Sequence, residues 1–312
     1  MPLIISSSPH KRIGTDTGWV MKQVVIALIP AICAAFYFFR SPAVWLIVNC
    51  VVTCVLTEMF ICRLRHRAST IGDFSAVLTG ILLALILPPE IPWYAATFGG
   101  IFAIIFGKQI FGGLGQNIFN PALVGRAFLM AAYPAMLTRW TAPSGVASAT
   151  GATPLALYKF DGIITPLGDL FLGRIAGSLG ETSAVCLILG AGYLFIRKIA
   201  DWRVPLTIMG TVFIMAAIFY VIDPVYGSPL FHFLSGGLLL GAFFMATDPV
   251  TTPVTKLGRY IFGAGCGIVI MVIRYFSGLP EGVMYAILFM NAFVPLINRY
   301  TIPKPLGYEK QS

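Results

Sequence analysis

The chain has 312 residues, of which 58% are hydrophobic and only 11% charged, with a mean hydropathy of +0.87. Soluble domains average roughly 45–50% apolar and about 25% charged residues, so the composition excludes a water-soluble enzyme and indicates an integral membrane protein. A formal charge of +9 would suggest nucleic acid in a soluble chain; in a membrane chain it is first a topology signal, and no nucleic-acid partner is expected.

The opening stretch MPLIISSSPHKRIGTDTGWVMKQ is polar for too long to be a cleaved signal peptide, so the first apolar run is expected to be a retained helix. Apolar runs follow at about 20–39, 43–62, 75–87, 94–107, 120–134, 183–196, 204–222, 231–246, 260–273 and 282–298. Several are shorter than the roughly 20 residues of a straight span. The Pro-bearing stretches LPPEIP (87–92) and ATDPVTTP (246–253) interrupt the pattern. Broken helices are tolerated at membrane depth where their freed backbone groups face protein or a water-filled cavity. The expectation is an all-α polytopic membrane protein with about ten transmembrane helices.

Ten crossings put both termini on one side. Cytoplasmic termini place fifteen of the 21 Lys and Arg residues in inner segments, Lys108 among them. Five (Arg40, Arg139, Lys159, Arg174, Arg274) then fall outside, and Arg126 lies within a span. That bias favours cytoplasmic termini. GILLALILPP (80–89) echoes GLLLGAFFMATDP (237–249), and an Asn-bearing helix start follows in each half, FNPALVGRAF and MNAFVPLINR. Five crossings per half make the halves inverted repeats around a site near the midplane. The expected organisation is a first helical repeat over 1–134, an external segment over 135–182 and a second repeat over 183–312. The six cysteines include no CxxC and no paired Cys/His spacing; Cys50 and Cys54 share a helix face but read as buried inert thiols, and no metal site is expected.

The external segment contains TGATPLAL (150–157). Pro154 biases Thr153 towards an extended backbone, and the small residues Gly151 and Ala152 before it are expected to leave its hydroxyl open to another protein. A Thr hydroxyl is a poor nucleophile unaided, so covalent chemistry there needs a base and an activated donor from outside. Taken alone, the stretch is an ordinary polar loop.

Four stretches occur in order: DFSAVLTGILLALILPPEIPWY (73–94), GKQIFGGLGQNIFNPALVGRAF (107–128), TGATPLA (150–156) and FFMATDPVTTP (243–253). Together they resemble the membrane flavoprotein family that contains the D subunit of the Rnf complex and the B subunit of the sodium-pumping NADH:quinone oxidoreductase. The likeness spans about residues 19–300, and the short N-terminal segment is more similar to the former. The resemblance implies a fold like that of urea channels. It also implies FMN joined through a phosphoester to Thr153, with Thr150, Gly151 and Ala152 completing the motif that a flavin transferase recognises. Position 147 is Ala, where that motif often has an acidic residue. The family sometimes holds a second, noncovalent riboflavin. It works beside iron–sulfur and flavin subunits in the bacterial cytoplasmic (inner) membrane, coupling electron transfer to Na+ or H+ movement; Thr153 would then face the outer side. The chain has no nucleotide-binding fingerprint and no cluster ligands, so partners are needed for NADH or ferredoxin oxidation. A reading from another class is a solute channel or transporter without a redox cofactor.

Other candidates come from the residues themselves. Trp140, Tyr158, Phe160 and Phe171 are candidates to stack on a flavin ring or to anchor at the interface. Arg126, with Asn117 and Asn120, forms either a polar pocket at the broken helices or a tie to carbonyls freed by the Asn-Pro break. Asp248, with Thr247, Thr251 and Thr252, offers oxygen ligands to a small cation or caps a half-helix. Glu58 is either on an ion pathway or snorkels to the headgroups. Asp73 is expected to cap the third helix.

Overall fold

The computed structural model describes residues 16–67, 70–141, 151–181 and 183–303, and among these there is no strand. Thr150 and Ala147 lie outside the described residues. All ten apolar runs fall on helices. In lipid a backbone must satisfy its own polar groups, and the helix does so within one segment.

The first half opens with α1 (Thr17–Phe39) and α2 (Ser41–Leu64), joined by Arg40 alone. A 3₁₀ turn then brings Asp73 to the start of α3 (Ser75–Leu85), where its Oδ1 accepts the Ser75 N–H at 2.8 Å, as the sequence suggested. Pro88 and Pro89 stop α3 early. Helix α4 (Trp93–Ile104) widens into a π turn (Ile105–Gln109), and Asn120 caps α5 (Pro121–Ala132). Short helices α6 (Pro134–Leu137), α7 (Pro154–Ala156), continued by a π turn (Leu157–Asp161), and α8 (Leu167–Leu172) follow.

The second half holds α9 (Ala184–Ile196) and α10 (Arg203–Ile222). Next come α11 (Pro229–Leu234) and α12 (Leu238–Leu240), the latter running into a π turn (Gly241–Met245). Gly236 and Gly237 between them adopt φ of 70° and 64°, a region open to glycine at little cost, and the two pieces meet at a 48° bend. Helices α13 (Lys256–Phe276) and α14 (Val283–Thr301) complete the chain. Helix α14 starts at Val283, so Asn291 lies within a helix and not at its start as the sequence echo suggested.

Five helices, α1, α2, α10, α13 and α14, are long and apolar enough to cross a membrane, and the bent pair makes up to six. At 1.5 Å per residue, the 11 residues of α3 reach only about half of a roughly 30 Å hydrocarbon core. On α2 the residues Val48, Val52, Leu56 and Phe60 repeat every fourth position and are all about half exposed. Such a stripe is stable against lipid tails, not water.

Helix α2 packs on α3 and α4, and α4 on α5; α10 packs on α13, and α13 on α14; α1 meets α9. The last contact is a backbone approach, since a Cβ on Gly190 would lie 2.1 Å from the Ala27 carbonyl oxygen. Small residues at helix crossings are the membrane solution to close packing. The segment expected to be external is external only in part. Residues 175–181 are buried, and the N–H groups of Leu179 and Gly180 donate to the carbonyls of Leu87 and Leu85 at 3.3 and 2.6 Å. They thereby satisfy acceptors that the early stop of α3 leaves free.

Candidate functional site

The two π turns that follow α4 and α12 face one cavity. Lys108 from the first and Phe244 from the second line it, together with Ser75, Asn117, Asn120, Thr247 and Asp248. Interruptions of this kind recur at functional sites because they free backbone groups and re-aim side chains. Residues read from sequence as two separate groups, the Asn pair and the Asp248 cluster, thus share one site.

Asn120 stitches the halves together. Its Oδ1 accepts the N–H groups of Ala122 and Leu123 at 3.1 and 3.4 Å, and its Nδ2 donates to the Met245 carbonyl at 3.2 Å. Asn291 completes the link, its amide donating to the Thr251 carbonyl and accepting the Asn120 N–H, each at 3.2 Å. Asn117 donates to the Phe119 carbonyl at 3.2 Å, while its Oδ1 is buried without a partner among the described residues. Asp248 is half-buried; it accepts the Val250 N–H at 3.2 Å and the Thr251 hydroxyl at 3.3 Å. That is the capping role, on a residue that also borders the cavity. The cavity measures about 50 Å³, well under the roughly 300–1,000 Å³ of a small-molecule site. A riboflavin does not fit there without separation of the helices.

Beneath this cavity lies an ion pair. Lys108 Nζ donates to Glu58 Oε1 at 2.7 Å, with side chains 2% and 0% exposed. Lys108 also bonds to Ser75 Oγ, and Thr70 donates to Glu58 at 2.5 Å. Snorkelling is therefore ruled out for Glu58: its partner sits inside the protein, and a buried carboxylate is held by the nearest cation.

Thr153 is extended (φ −68°, ψ 155°) and caps α7, its Oγ1 accepting the Ala156 N–H at 3.3 Å. Contrary to the expectation of an open hydroxyl, Thr153 is only 1% exposed, because the cap folds its side chain back over the helix start. The Trp140 N–H donates to the Gly151 carbonyl at 3.2 Å, and a Cβ on Gly151 would lie 2.1 Å from the Trp140 oxygen. Trp140 therefore braces the attachment turn through its backbone.

Tyr158, on the π turn that continues α7, lines an open cavity of about 400 Å³ with Tyr226, Tyr275, Lys159, Gly162 and Arg274. Its ring leans on Phe231 at 5.2 Å, and its hydroxyl donates to the Val225 carbonyl at 2.6 Å. Burial, aided by Tyr226 and Asp223, pushes that phenol up to about 12, so it stays a neutral donor. Lys159 donates to the carbonyls of Arg274 and Leu279 at 2.8 and 3.0 Å, closing the end of α13. Phe160 and Phe171 are exposed and stack on no ring among the described residues.

Arg126 stands apart from Asn117 and Asn120. Its Nη2 pairs with Glu281 Oε2 at 2.8 Å in a further cavity that Glu181 also lines. The carbonyl-tying role read from the Asn-Pro break is replaced by this ion pair, because Asn120 itself satisfies the start of α5. Sequence reasoning missed Lys108, Glu181 and Glu281. Lys108 and Arg274 had counted as orientation charges, yet both are buried. The signal for Lys108 was the unmet need of Glu58 for a cation.

Paired helices broken at matching places, with ionisable groups gathered at the breaks, define a membrane transport or energy-coupling protein. A match to the NQR2, RnfD, RnfE family extends over residues 4–307, and the chain belongs to that family. It is 43% identical over 316 residues to the D subunit of the proton-translocating ferredoxin:NAD(+) oxidoreductase complex of Clostridium ljungdahlii, covering 97% of this chain and 96% of the relative. It is 44% identical over 312 residues to the Na(+)-translocating counterpart of Acetobacterium woodii, covering 99% and 96%. To the D subunit of the ion-translocating oxidoreductase complex of Halorhodospira halophila it is 37% identical over 337 residues, covering 96% and 94%.

Proposed function

We propose that this chain is the membrane subunit of an Rnf-type ferredoxin:NAD+ oxidoreductase, and that it carries FMN as a phosphoester on Thr153 while Na+ or H+ crosses the bilayer. Family membership supports the first part. The second rests on the attachment turn: an extended Thr at a helix start, a glycine pressed against Trp140, and an aromatic cavity of about 400 Å³ beginning on the same turn.

The residues present fit the group. Thr153 supplies the ester oxygen, and a phosphate there meets the positive end of α7 and its π turn. Tyr158, Tyr226 and Tyr275 would hold the ring, and Lys159 fixes the cavity wall by its bonds to the end of α13. FMN, when bound, supplies one- and two-electron transfer between partner iron–sulfur and flavin subunits. Because Thr153 is buried, the turn must open to meet the transferase.

Asn117, Asn120, Thr247 and Asp248, with Glu58 and Lys108 below, form the candidate ion-handling region. Matching helix contacts in the two halves, and matched π turns, support two five-helix inverted repeats with ten crossings. The charge bias supports cytoplasmic termini and an outer Thr153 in the bacterial inner membrane.

The test is in-gel flavin fluorescence of denatured protein made together with the transferase. Thr153→Ala is expected to abolish the signal and Thr153→Ser to retain it. A dark wild-type band, or a bright Thr153→Ala band, overturns the assignment.

A further inference from the structure

The flavin reading leaves Arg126, Glu181 and Glu281 unused. They come from α5, from the segment before α9 and from the α13–α14 connection. Together they line a cavity with Gly236, Gly237 and Gly241 at the break between α11 and α12. Arg126 holds Glu281 Oε2, but nothing equivalent among the described residues holds Glu181. Both Glu181 oxygens and Glu281 Oε1 are buried without a hydrogen-bond partner there, and Glu181 is 8% exposed.

A carboxylate in this position is costly to keep charged, since it has lost water and faces a second carboxylate. The groups around it are Glu281, Arg126 on α5, Ser178, Arg274 on α13 and Tyr285 on α14. Arg126 is engaged by Glu281, and Arg274 donates to the carbonyls of His232 and Ser235 at 2.6 and 2.8 Å. Burial first, and Glu281 second, push the Glu181 carboxyl above its ordinary range by more than Arg126 and Ser178 draw it down.

We propose that Glu181 and Glu281 form a proton-binding site in which the two carboxyl groups share one proton at neutral pH. Uptake forms one carboxyl O–H bond with a proton from water. The two carboxylates pass from a joint charge of −2 to −1, which Arg126 balances. The cavity, about 30 Å³, has room for about one water to deliver it. A metal cation is the poorer occupant. Hard cations seek about six or more oxygen ligands, the guanidinium repels them, and no cluster of three metal-ligating side chains occurs among the described residues.

The site also touches the break. A Cβ on Gly237 would lie 2.9 Å from Glu181 Oε1, and one on Gly236 would lie 2.2 Å from Leu155 Cδ1 on α7 and 3.0 Å from Arg274 Nη2. The charge of the pair therefore bears directly on the bend and, through Leu155, on the helix that begins at Thr153.

The experiment is pH-difference infrared spectroscopy of the assembled complex in its membrane. Wild type minus Glu181→Gln is expected to show a protonated-carboxyl band present at neutral pH and lost only above the ordinary carboxylate range. Glu281→Gln removes the repulsion and frees Arg126, so the midpoint of the band is expected to fall by about 1–3 units. If Glu181→Gln does not accumulate, the wild type and Glu281→Gln carry the test by themselves. Absence of the band, its survival in Glu181→Gln, or an unmoved midpoint in Glu281→Gln overturns the proposal. In-gel flavin fluorescence is expected to be unchanged in both variants, so failure here and failure of the Thr153 assignment are read separately.

Discussion

Lys108 and Glu58 meet at 2.7 Å with almost no exposure of either side chain, across 50 positions of sequence. The pair joins the π turn after α4 to the second helix, so one contact holds the irregular backbone against a regular span. Removing one partner of a buried pair costs about 3–5 kcal/mol, because the other charge is left uncompensated. Glu58→Gln is therefore expected to destabilise the protein severely in detergent unfolding assays. The double change Glu58→Gln with Lys108→Met is expected to recover most of that loss. Equal instability of the single and double variants would show that the charge pairing is not what matters.

Asn120 makes a second link, and its two roles separate by substitution. Asn120→Asp keeps the acceptor that caps α5 but loses the donor to the Met245 carbonyl. Asn120→Ala loses both. A cap contributes about 1 kcal/mol, and a stranded buried acceptor costs about 1–3 kcal/mol. Unfolding measurements are expected to rank wild type above Asp and Asp above Ala, unless the new carboxylate's own desolvation reverses the last two.

Helix positions were legible because lipid leaves a continuous segment few alternatives to internal hydrogen bonding; the apolar runs and both Pro-bearing breaks coincide with helices and their ends. The extended backbone at Thr153 was also legible, through the steric effect of Pro154. Its burial was not, since that depends on how the cap packs. Glu58 and Arg126 announced themselves as charges in apolar runs. Their partners did not, because Lys108 and Glu281 sit beside helix ends, where a charge needs no special explanation, and only packing brings them inward.

Gly151 is the tightest point of the attachment turn. With a Cβ only 2.1 Å from the Trp140 oxygen, Gly151→Ala must push the backbone away, and overpacking of this kind costs about 1–3 kcal/mol. The displaced turn moves Thr153 out of its capping geometry. In-gel fluorescence is expected to fall several-fold in Gly151→Ala while the protein still accumulates in the membrane. Full incorporation would mean that the transferase reads the turn only after it has opened.

Asp201, between α9 and α10, provides a pH dependence whose sign is determined by its surroundings. Partial burial works against the charged form, but the Arg203 N–H at 2.9 Å and the guanidinium groups of Arg259 and Arg203 outweigh it, leaving the carboxyl below its ordinary value. A carboxylate depressed by folding contributes stability above its unfolded pKa, and that contribution is lost as pH falls through the folded value. Wild type is therefore expected to lose stability on acidification below about pH 4, the ordinary Asp range. Asp201→Asn, which keeps the shape but carries no charge to lose, is expected to start lower at neutral pH and to show a shallower acid limb. Thermal unfolding from neutral to acid pH, at low and at high salt, measures this. The gap between the two proteins at neutral pH is expected to narrow with salt, since the group is partly exposed and solvent ions screen it. Parallel acid limbs for the two proteins would place the acid sensitivity at other carboxylates.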